Sequence, residues 1–387
     1  MLPPMRLLHL SGSLQNSIGG PPQALLGILT GLASNNVNIE IIKIEPRNFE
    51  ASEVDESIEM VIKRLTSLTT SPALARYQFS LKFPILFLRR VRHSDVVVSH
   101  GFYSFSLLFA LVTKKLHKKP IFVMPHGSVE PYQERVHRIR KSVFRKIMRN
   151  GIGINAFFVA TSMEKSMAES NEWIKSPVRE VGIGIHSQVQ NGNSISIDNS
   201  KKYLLFIGRI ACKKRIDLSI EALNILRKSG FDVCLKIAGN GDEAILLDLV
   251  NRANRLGIGS HVSFMGEITG ERKWELIRKA EATLLPSENE NFAVSVAESI
   301  LLGTPAVVSF NVALSNVVLN YQAGEVIGEL DPIELSGKIQ KVMENRDFYS
   351  KNCTVASAEF DPEVIGRRWL DAIYYYLESE EGNKSNG

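Results

Sequence analysis

The segment YLLFIGRIACKKRIDLSIEALNILRKSGFDVCLKIAG, Tyr203–Gly239, decides the fold class. Its two ends, YLLFIG and DVCLKIAG, are apolar runs of strand length, and DLSIEALNILRKSG between them reads as a helix closed by Gly230, a residue suited to a helix end. A strand, a helix and a second strand in this order make a parallel crossover unit. The alternation continues downstream: a helix to about Leu256, strand HVSFMG, helix RKWELIRKA, strand ATLLPS, helix AVSVAESILLG and strand PAVVS. It also runs upstream, where RLLHLSG, VNIEIIKI, DVVVSH, PIFVMPHG and AFFVATS read as strands. PPQALLGILTGLASNN puts Leu25, Ile28, Leu29 and Leu32 on one helical face. The expectation is an α/β chain of two Rossmann-like doubly wound parallel-sheet domains.

Length and composition set the outer limits. A chain of 387 residues, 44% hydrophobic and 22% charged, exceeds what one core usually spans. Between His186 and Lys202 the sequence turns polar and rich in Ser and Asn, so residues 187–202 are expected to link an N-terminal domain, 1–186, to a C-terminal domain, 203–363. Cys212, Cys234 and Cys353 are far apart and form no C-x-x-C pair, which argues against a disulfide framework and fits a cytoplasmic location. MLPPMRLLHLSGS reads as a strand and a polar turn, not as a secretory signal. The longest apolar stretch, GFYSFSLLFALV, falls short of the roughly twenty residues that span a bilayer. A net charge of +5 is modest, but FLRRVRH, KKLHKKP and RVHRIRKSVFRKIMR all lie in the first 150 residues. The last of these places Val136, Ile139, Val143 and Ile147 on one side of a basic helix, which fits either a solvated face or contact with an anionic membrane at its inner surface.

In open parallel sheets, ligands bind beyond the carboxyl ends of the strands, so the loops that follow strands are where chemistry belongs. Gly19 and Gly20 precede the first helix and allow close approach of a ligand to its N–H groups, or simply make the turn. His126 ends the strand PIFVM. Arg209, Lys213, Lys214 and Arg215 converge ahead of a helix, where the macrodipole disfavours cations unless solvent or an anion offsets them. Gly239, Gly241 and Ala244 match the dinucleotide pattern G-x-G-x-x-A, although Asp242 and Glu243 occupy the place of a pyrophosphate. In PSENENFAVSVAES, Pro286–Ser299, a helix starting near Phe292 puts Val294, Ala297, Glu298 and Leu301 on one apolar stripe. A carboxylate on that stripe needs strong donors, either ribose hydroxyls or an Arg or Lys of the same domain. Glu290 lies where the first N–H groups of the helix, Phe292 to Val294, converge. No D-x-D or H-E-x-x-H motif points to a metal.

Taken together, these loops resemble the retaining GT-B glycosyltransferases of glycosyltransferase family 4, and the resemblance runs over nearly the whole chain. The family's G-R-L-x-x-x-K-G is similar to GRIACKKR, which implies that Arg209 and Lys214 bind a diphosphate. Its A-G-x-G resembles AGNG at Gly239, and its F-x-G strand end resembles SFMGEI, which implies Met265 and Glu267 as neighbours of the nucleotide base. Its P-S-x-x-E-G-F-G-x-x-x-x-E-A resembles PSENENFAVSVAES. This selects Glu290 toward the transferred sugar and Glu298 toward the ribose, leaving Glu288 outside. Asn291 and Ala293 stand where the family usually has glycines, and with Phe292 and Val294 they complete that stretch. In the first half, GGPPQALL and PHGSVEP resemble the Gly-Gly loop and the segment whose histidine lies close to the reacting sugar, so His126 is carried over as a catalytic-site residue.

The resemblance implies two domains facing a cleft, with the last helix, about 364–387, crossing back to the N-terminal domain. It implies transfer of a sugar, with retention, from a nucleoside diphosphate sugar to a glycan or lipid-linked acceptor, as in lipopolysaccharide, capsule or exopolysaccharide synthesis. No cofactor beyond the donor and no nucleic acid is expected. An NAD-linked nucleotide-sugar epimerase or dehydrogenase and a basic nucleic-acid-binding protein stand as the alternatives, with a GT-B phosphorylase or sucrose synthase-like enzyme behind them.

Overall fold

The computed structural model describes residues 4–12, 20–47, 62, 64–128, 153–186 and 201–385. The chain divides into two compact units, the first Met1–His186 with Asp361–Gly387, the second Ser187–Phe360.

Seven parallel strands are described in the first unit: β1 (Arg6–Ser11), β2 (Asn38–Pro46), β3 (Arg64–Thr70), β4 (Val96–His100), β5 (Ile121–Met124), β6 (Ala156–Val159) and β7 (Val178–Glu180). They lie in the order β3-β2-β1-β4-β5-β6-β7. The second unit has β8 (Tyr203–Ile207), β9 (Cys234–Ala238), β10 (Val262–Phe264), β11 (Ala282–Leu285), β12 (Ala306–Ser309) and β13 (Gly324–Ile327), also parallel, in the order β10-β9-β8-β11-β12-β13. Each sheet grows outward from its first strand and then returns to that strand's other side. The reversal falls between β1 and β4 and between β8 and β11. Such switch points open a crevice at the carboxyl edge of a sheet.

The central strands show why the pattern was readable. Every residue of β4, β5, β6 and β8 is buried, because helices cover both faces, and such strands read as continuous apolar runs. The sequence pattern missed β3, β7 and β13. All three are sheet edges, and RLTSLTT, VRE and GEVI are either polar or only three or four residues long.

The last helix, Pro362–Ser385, packs on the helix Gly20–Ser34 within the first unit. Glycines set the spacing. A Cβ on Gly31 would sit 1.9 Å from the Pro362 carbonyl oxygen, and one on Gly366 would sit 2.0 Å from that of Gly31, so the two backbones touch. Further along, Trp369 is fully buried edge-on against Phe158, with ring centroids 5.0 Å apart, and Arg179 Nε donates to the Tyr376 hydroxyl at 3.3 Å.

Candidate active site

In the second unit, the loops after β8 and β11 meet at the switch point and are sewn together. Ser287 is fully buried, and its Oγ lies 2.9 Å from the Lys213 carbonyl oxygen and 3.1 Å from Glu290 Oε1. The Glu288 N–H donates to that same carbonyl at 2.8 Å, and Lys213 Nζ donates to the Asn289 carbonyl at 3.4 Å. Glu290 is anchored on its other side by the loop after β12. Its N–H donates to the Asn311 carbonyl at 3.2 Å, and its own carbonyl accepts from the Ala313 N–H at 2.9 Å. The backbone therefore fixes the Glu290 carboxylate, which lies 2.7 Å from Lys214 Nζ and 3.3 Å from Lys213 Nζ.

Burial raises the Glu290 pKa, but the Lys214 and Lys213 ammoniums outweigh it and hold the carboxyl below its ordinary range. For Lys214, burial is the largest influence and lowers its pKa. The Glu290 carboxylate opposes this, while Lys213 and Arg209 add to the lowering. Arg209 is exposed and has no ion-pair partner among the described residues. Two ammoniums thus flank one carboxylate, and the Arg209 guanidinium is near enough to add to the lowering of the Lys214 pKa. An ammonium carries three donors, so Lys214 retains capacity for a second anion. Arg215 is spent locally: it adopts a left-handed backbone, φ 50°, and its guanidinium pairs with Asp217 at 3.0 Å. Glu288 is largely exposed, 3.9 Å from Arg215.

The helix after this loop, Val294–Leu301, starts later than Phe292 because Ala293 is left-handed, φ 65°, and breaks the turn there. The N–H groups of its first turn therefore begin at Val294, not Phe292. The Phe292 ring turns into the core, edge-on to Phe360 with centroids 6.2 Å apart, and Asn291 is half-buried. A left-handed conformation costs an L-residue about 1–2 kcal/mol, a strain that glycine at that place would not carry. The buried face is Val296, Ala297, Glu298, Ser299 and Ile300, with Val294 and Leu301 at its margins. Glu298 is 2% exposed and accepts from Lys273 Nζ at 2.5 Å. Of the two donors expected for this carboxylate, the protein itself supplies the lysine. Lys273 escaped the sequence reading, although it precedes Ile277 by one helical turn and so falls on the buried stripe of Gly270–Arg278.

Gly239 follows β9, and a Cβ there would lie 1.9 Å from the Gly208 carbonyl oxygen. One on Gly241 would lie 2.3 Å from that of Ile210. These glycines admit the close approach of the loop after β8. Asp242 caps the next helix by accepting from the Ala244 N–H at 2.9 Å. The G-x-G-x-x-A match is thereby explained by turn and cap geometry. Met265 is half-buried against the β8 core, and exposed Glu267 accepts from Asn240 Nδ2 at 2.9 Å, so both lie beside the Gly239 turn.

In the first unit, Gly20 opens the first helix, while Gly19 and the basic segment 135–149 lie outside the described residues. His126 follows β5 in a left-handed turn, φ 49°. The turn is pinned by Glu164, a buried carboxylate that accepts from the N–H groups of Gly127 and Ala160, both at 2.8 Å. His126 Nε2 lies 3.1 Å from His100 Nδ1, and His100 Nε2 lies 2.8 Å from His9 Nδ1, with the rings stacked in series. Neither His9, inside the apolar RLLHLS, nor His100, which closes DVVVSH, was singled out from the sequence. Their signal was a histidine in a strand buried on both faces.

Burial lowers all three histidine pKa values: His9 to about 3, His126 to about 4, and His100 well below its ordinary value. In the folded chain they are neutral, whereas in the unfolded chain they protonate near pH 6.5. The unfolded state therefore binds more protons below that pH, and the stability these histidines contribute is lost as pH falls from about 6.5 toward 4. Each contributes up to roughly 1.4 kcal/mol per pH unit in that window. Calorimetric unfolding between pH 6.5 and 5, above the carboxylate range, should show a falling midpoint for the first unit, and His9→Leu should flatten the slope.

Among the described residues no helix is long and apolar enough to cross a membrane, and no group of three or more His, Cys, Asp or Glu could hold a metal ion. Residues 189–356 match the family model of the glycosyl transferases group 1. An uncharacterised glycosyltransferase of Methanocaldococcus jannaschii is 26% identical over 170 residues, 44% of this chain and 43% of that protein. The alpha-monoglucosyldiacylglycerol synthase of Streptococcus pneumoniae is 24% identical over 301 residues, 72% of this chain and 67% of that protein. The chain thus spans less than half the length of the first of these relatives. Among solved structures, Anabaena HepE in complex with UDP and glucose superposes with a TM-score of 0.71 at 15% identity, covering 96% of this chain and all of that one. The fold is GT-B.

Proposed function

We propose, from the match of residues 189–356 to the glycosyl transferases group 1, that the chain is a retaining glycosyltransferase using a nucleoside diphosphate sugar. The observation that carries this reading is the seam at the β8/β11 switch point, where Arg209, Lys213 and Lys214 outnumber the Glu290 carboxylate next to a helix N-terminus. Departure of a diphosphate builds negative charge, and fixed cations stabilise it without reorganising. Arg209 and Lys214 hold the diphosphate, Glu298 accepts from the ribose hydroxyls, and Glu290 contacts the transferred sugar. Met265 and Glu267 flank the base. His126 orients the transferred sugar, and a diphosphate oxygen takes the acceptor's proton during same-face attack. The acceptor is a glycan or lipid-linked hydroxyl. Its lipid form is supported by the diacylglycerol-based relative, and the chain then works at the inner face of a membrane.

The test is incubation with UDP-, GDP- and ADP-sugars and a set of glycan and glycolipid acceptors, with proton NMR of the product's anomeric centre and a parallel run with chelator. One donor should transfer with unchanged anomeric configuration, and chelation should leave the rate as it was. An inverted product, or no transfer from any donor, contradicts the proposal.

A further inference from the structure

The three histidines of the first unit form a chain with a closed end. It starts at His126, at the carboxyl edge of the sheet, runs through His100 and stops at His9. His9 is fully buried, and among the described residues its Nε2 has no hydrogen-bond partner. Trp369 stacks on His100 with centroids 6.4 Å apart and closes that side. A neutral imidazole has one N–H and one lone pair, and the hydrogen bond made at one nitrogen decides the other.

Two polarities are conceivable. In one, protons sit on His126 Nε2, His100 Nε2 and His9 Nε2, which leaves an N–H buried without an acceptor at the closed end. In the other, they sit on the three Nδ1 atoms. His9 Nδ1–H then donates to His100 Nε2, His100 Nδ1–H donates to His126 Nε2, and the orphan at the closed end is only a lone pair. Orphaned buried N–H groups are rare, and under-used acceptors are tolerated better. The second polarity wins.

We propose that His100, itself oriented by His9, is a positioning residue that fixes His126 as its Nδ1–H tautomer, so that this imidazole meets a substrate oxygen as a hydrogen-bond donor. His126 Nδ1 has no partner among the described residues, so that donor remains available. With Nε2 occupied by His100, the ring has no free lone pair for a substrate hydroxyl proton and does not serve as a general base. The tautomer follows from the first unit alone. Its bearing on sugar transfer rests on the function proposed above.

The test is nitrogen-15 NMR of the full chain with labelled histidine, at a pH where the folded imidazoles are neutral. His126 should show a pyrrole-type Nδ1 and a pyridine-type Nε2. His100→Leu should release the ring toward the Nε2–H form that free histidine favours in water, while His100→Asn, whose amide can donate in place of Nδ1–H, should keep the wild-type pattern. Transfer should fall about tenfold in His100→Leu and recover in His100→Asn. Wild-type His126 protonated at Nε2 overturns the proposal even if transfer is observed. A chain that transfers no sugar but shows the expected tautomer overturns the functional reading and leaves this one standing. Should His100→Leu fail to fold, the wild-type spectrum decides alone.

Discussion

Lys214→Ala is expected to lower sugar transfer by two to three orders of magnitude. Lys214 is the cation held closest to Glu290, at 2.7 Å, and its side chain is only 14% exposed, so its charge acts where water screens little. Removing one preorganised group aimed at developing negative charge costs about a hundred- to a thousandfold in rate. Lys213, 38% exposed and 3.3 Å from the same carboxylate, is better screened, and Lys213→Ala should cost less than about tenfold. The contrast matters because a general loss of positive charge would penalise both variants alike. Steady-state rates on the same donor and acceptor read the difference, and equal losses would remove Lys214 from its assigned role.

The second large effect concerns the buried pair Glu298–Lys273. Lys273→Met leaves a carboxylate that is 2% exposed without its lysine, and breaking a buried pair from one side costs roughly 3–5 kcal/mol. Glu298→Gln keeps an acceptor oxygen in place and exposes the lysine, 17% accessible, to only partial loss, so it should cost much less stability. Function should rank them the other way where nucleoside binding is concerned. If Glu298 accepts from ribose hydroxyls, Glu298→Gln exchanges charge-assisted hydrogen bonds for neutral ones and weakens nucleoside diphosphate binding by about tenfold. Chemical denaturation and calorimetric titration on the two variants separate these outcomes. Unchanged affinity in Glu298→Gln would mean that this carboxylate only holds Lys273.

The sheets were legible where strands are buried on both faces: YLLFI, DVVVSH and PIFVM could hardly be anything else, whereas the edge strands RLTSLTT, VRE and GEVI carry no such signal. At the site, residue type marked the cluster Arg209, Lys213, Lys214 and Arg215, and helical phase marked Glu298, because a charge ahead of a helix or on an apolar stripe is anomalous within its own segment; only the family resemblance picked Arg209 and Lys214 out of the cluster. The partners were invisible for the opposite reason. Lys273 is 25 residues from Glu298, Ser287 is 74 from Lys213, and His9 is 91 from His100. Such pairs exist only once the parallel crossovers bring these distant elements together. The start of the helix at Val294 was misplaced by two residues because propensity does not anticipate a left-handed alanine. That alanine is also where a departure from the family's glycine becomes physical: Ala293 keeps the glycine-like backbone conformation at a cost in strain.

On the function proposed, the loops after β8, β9 and β11 hold a nucleoside diphosphate on Arg209 and Lys214. Isothermal titration of the full chain with UDP, GDP and ADP tests it most directly, in parallel with Arg209→Ala, a variant of an exposed side chain that should leave the fold intact. One of the three nucleotides is expected to bind the wild-type protein in the micromolar range, about −8 kcal/mol, and to lose tenfold or more in Arg209→Ala. Absence of binding by all three, or binding that Arg209→Ala leaves unchanged, would contradict the account.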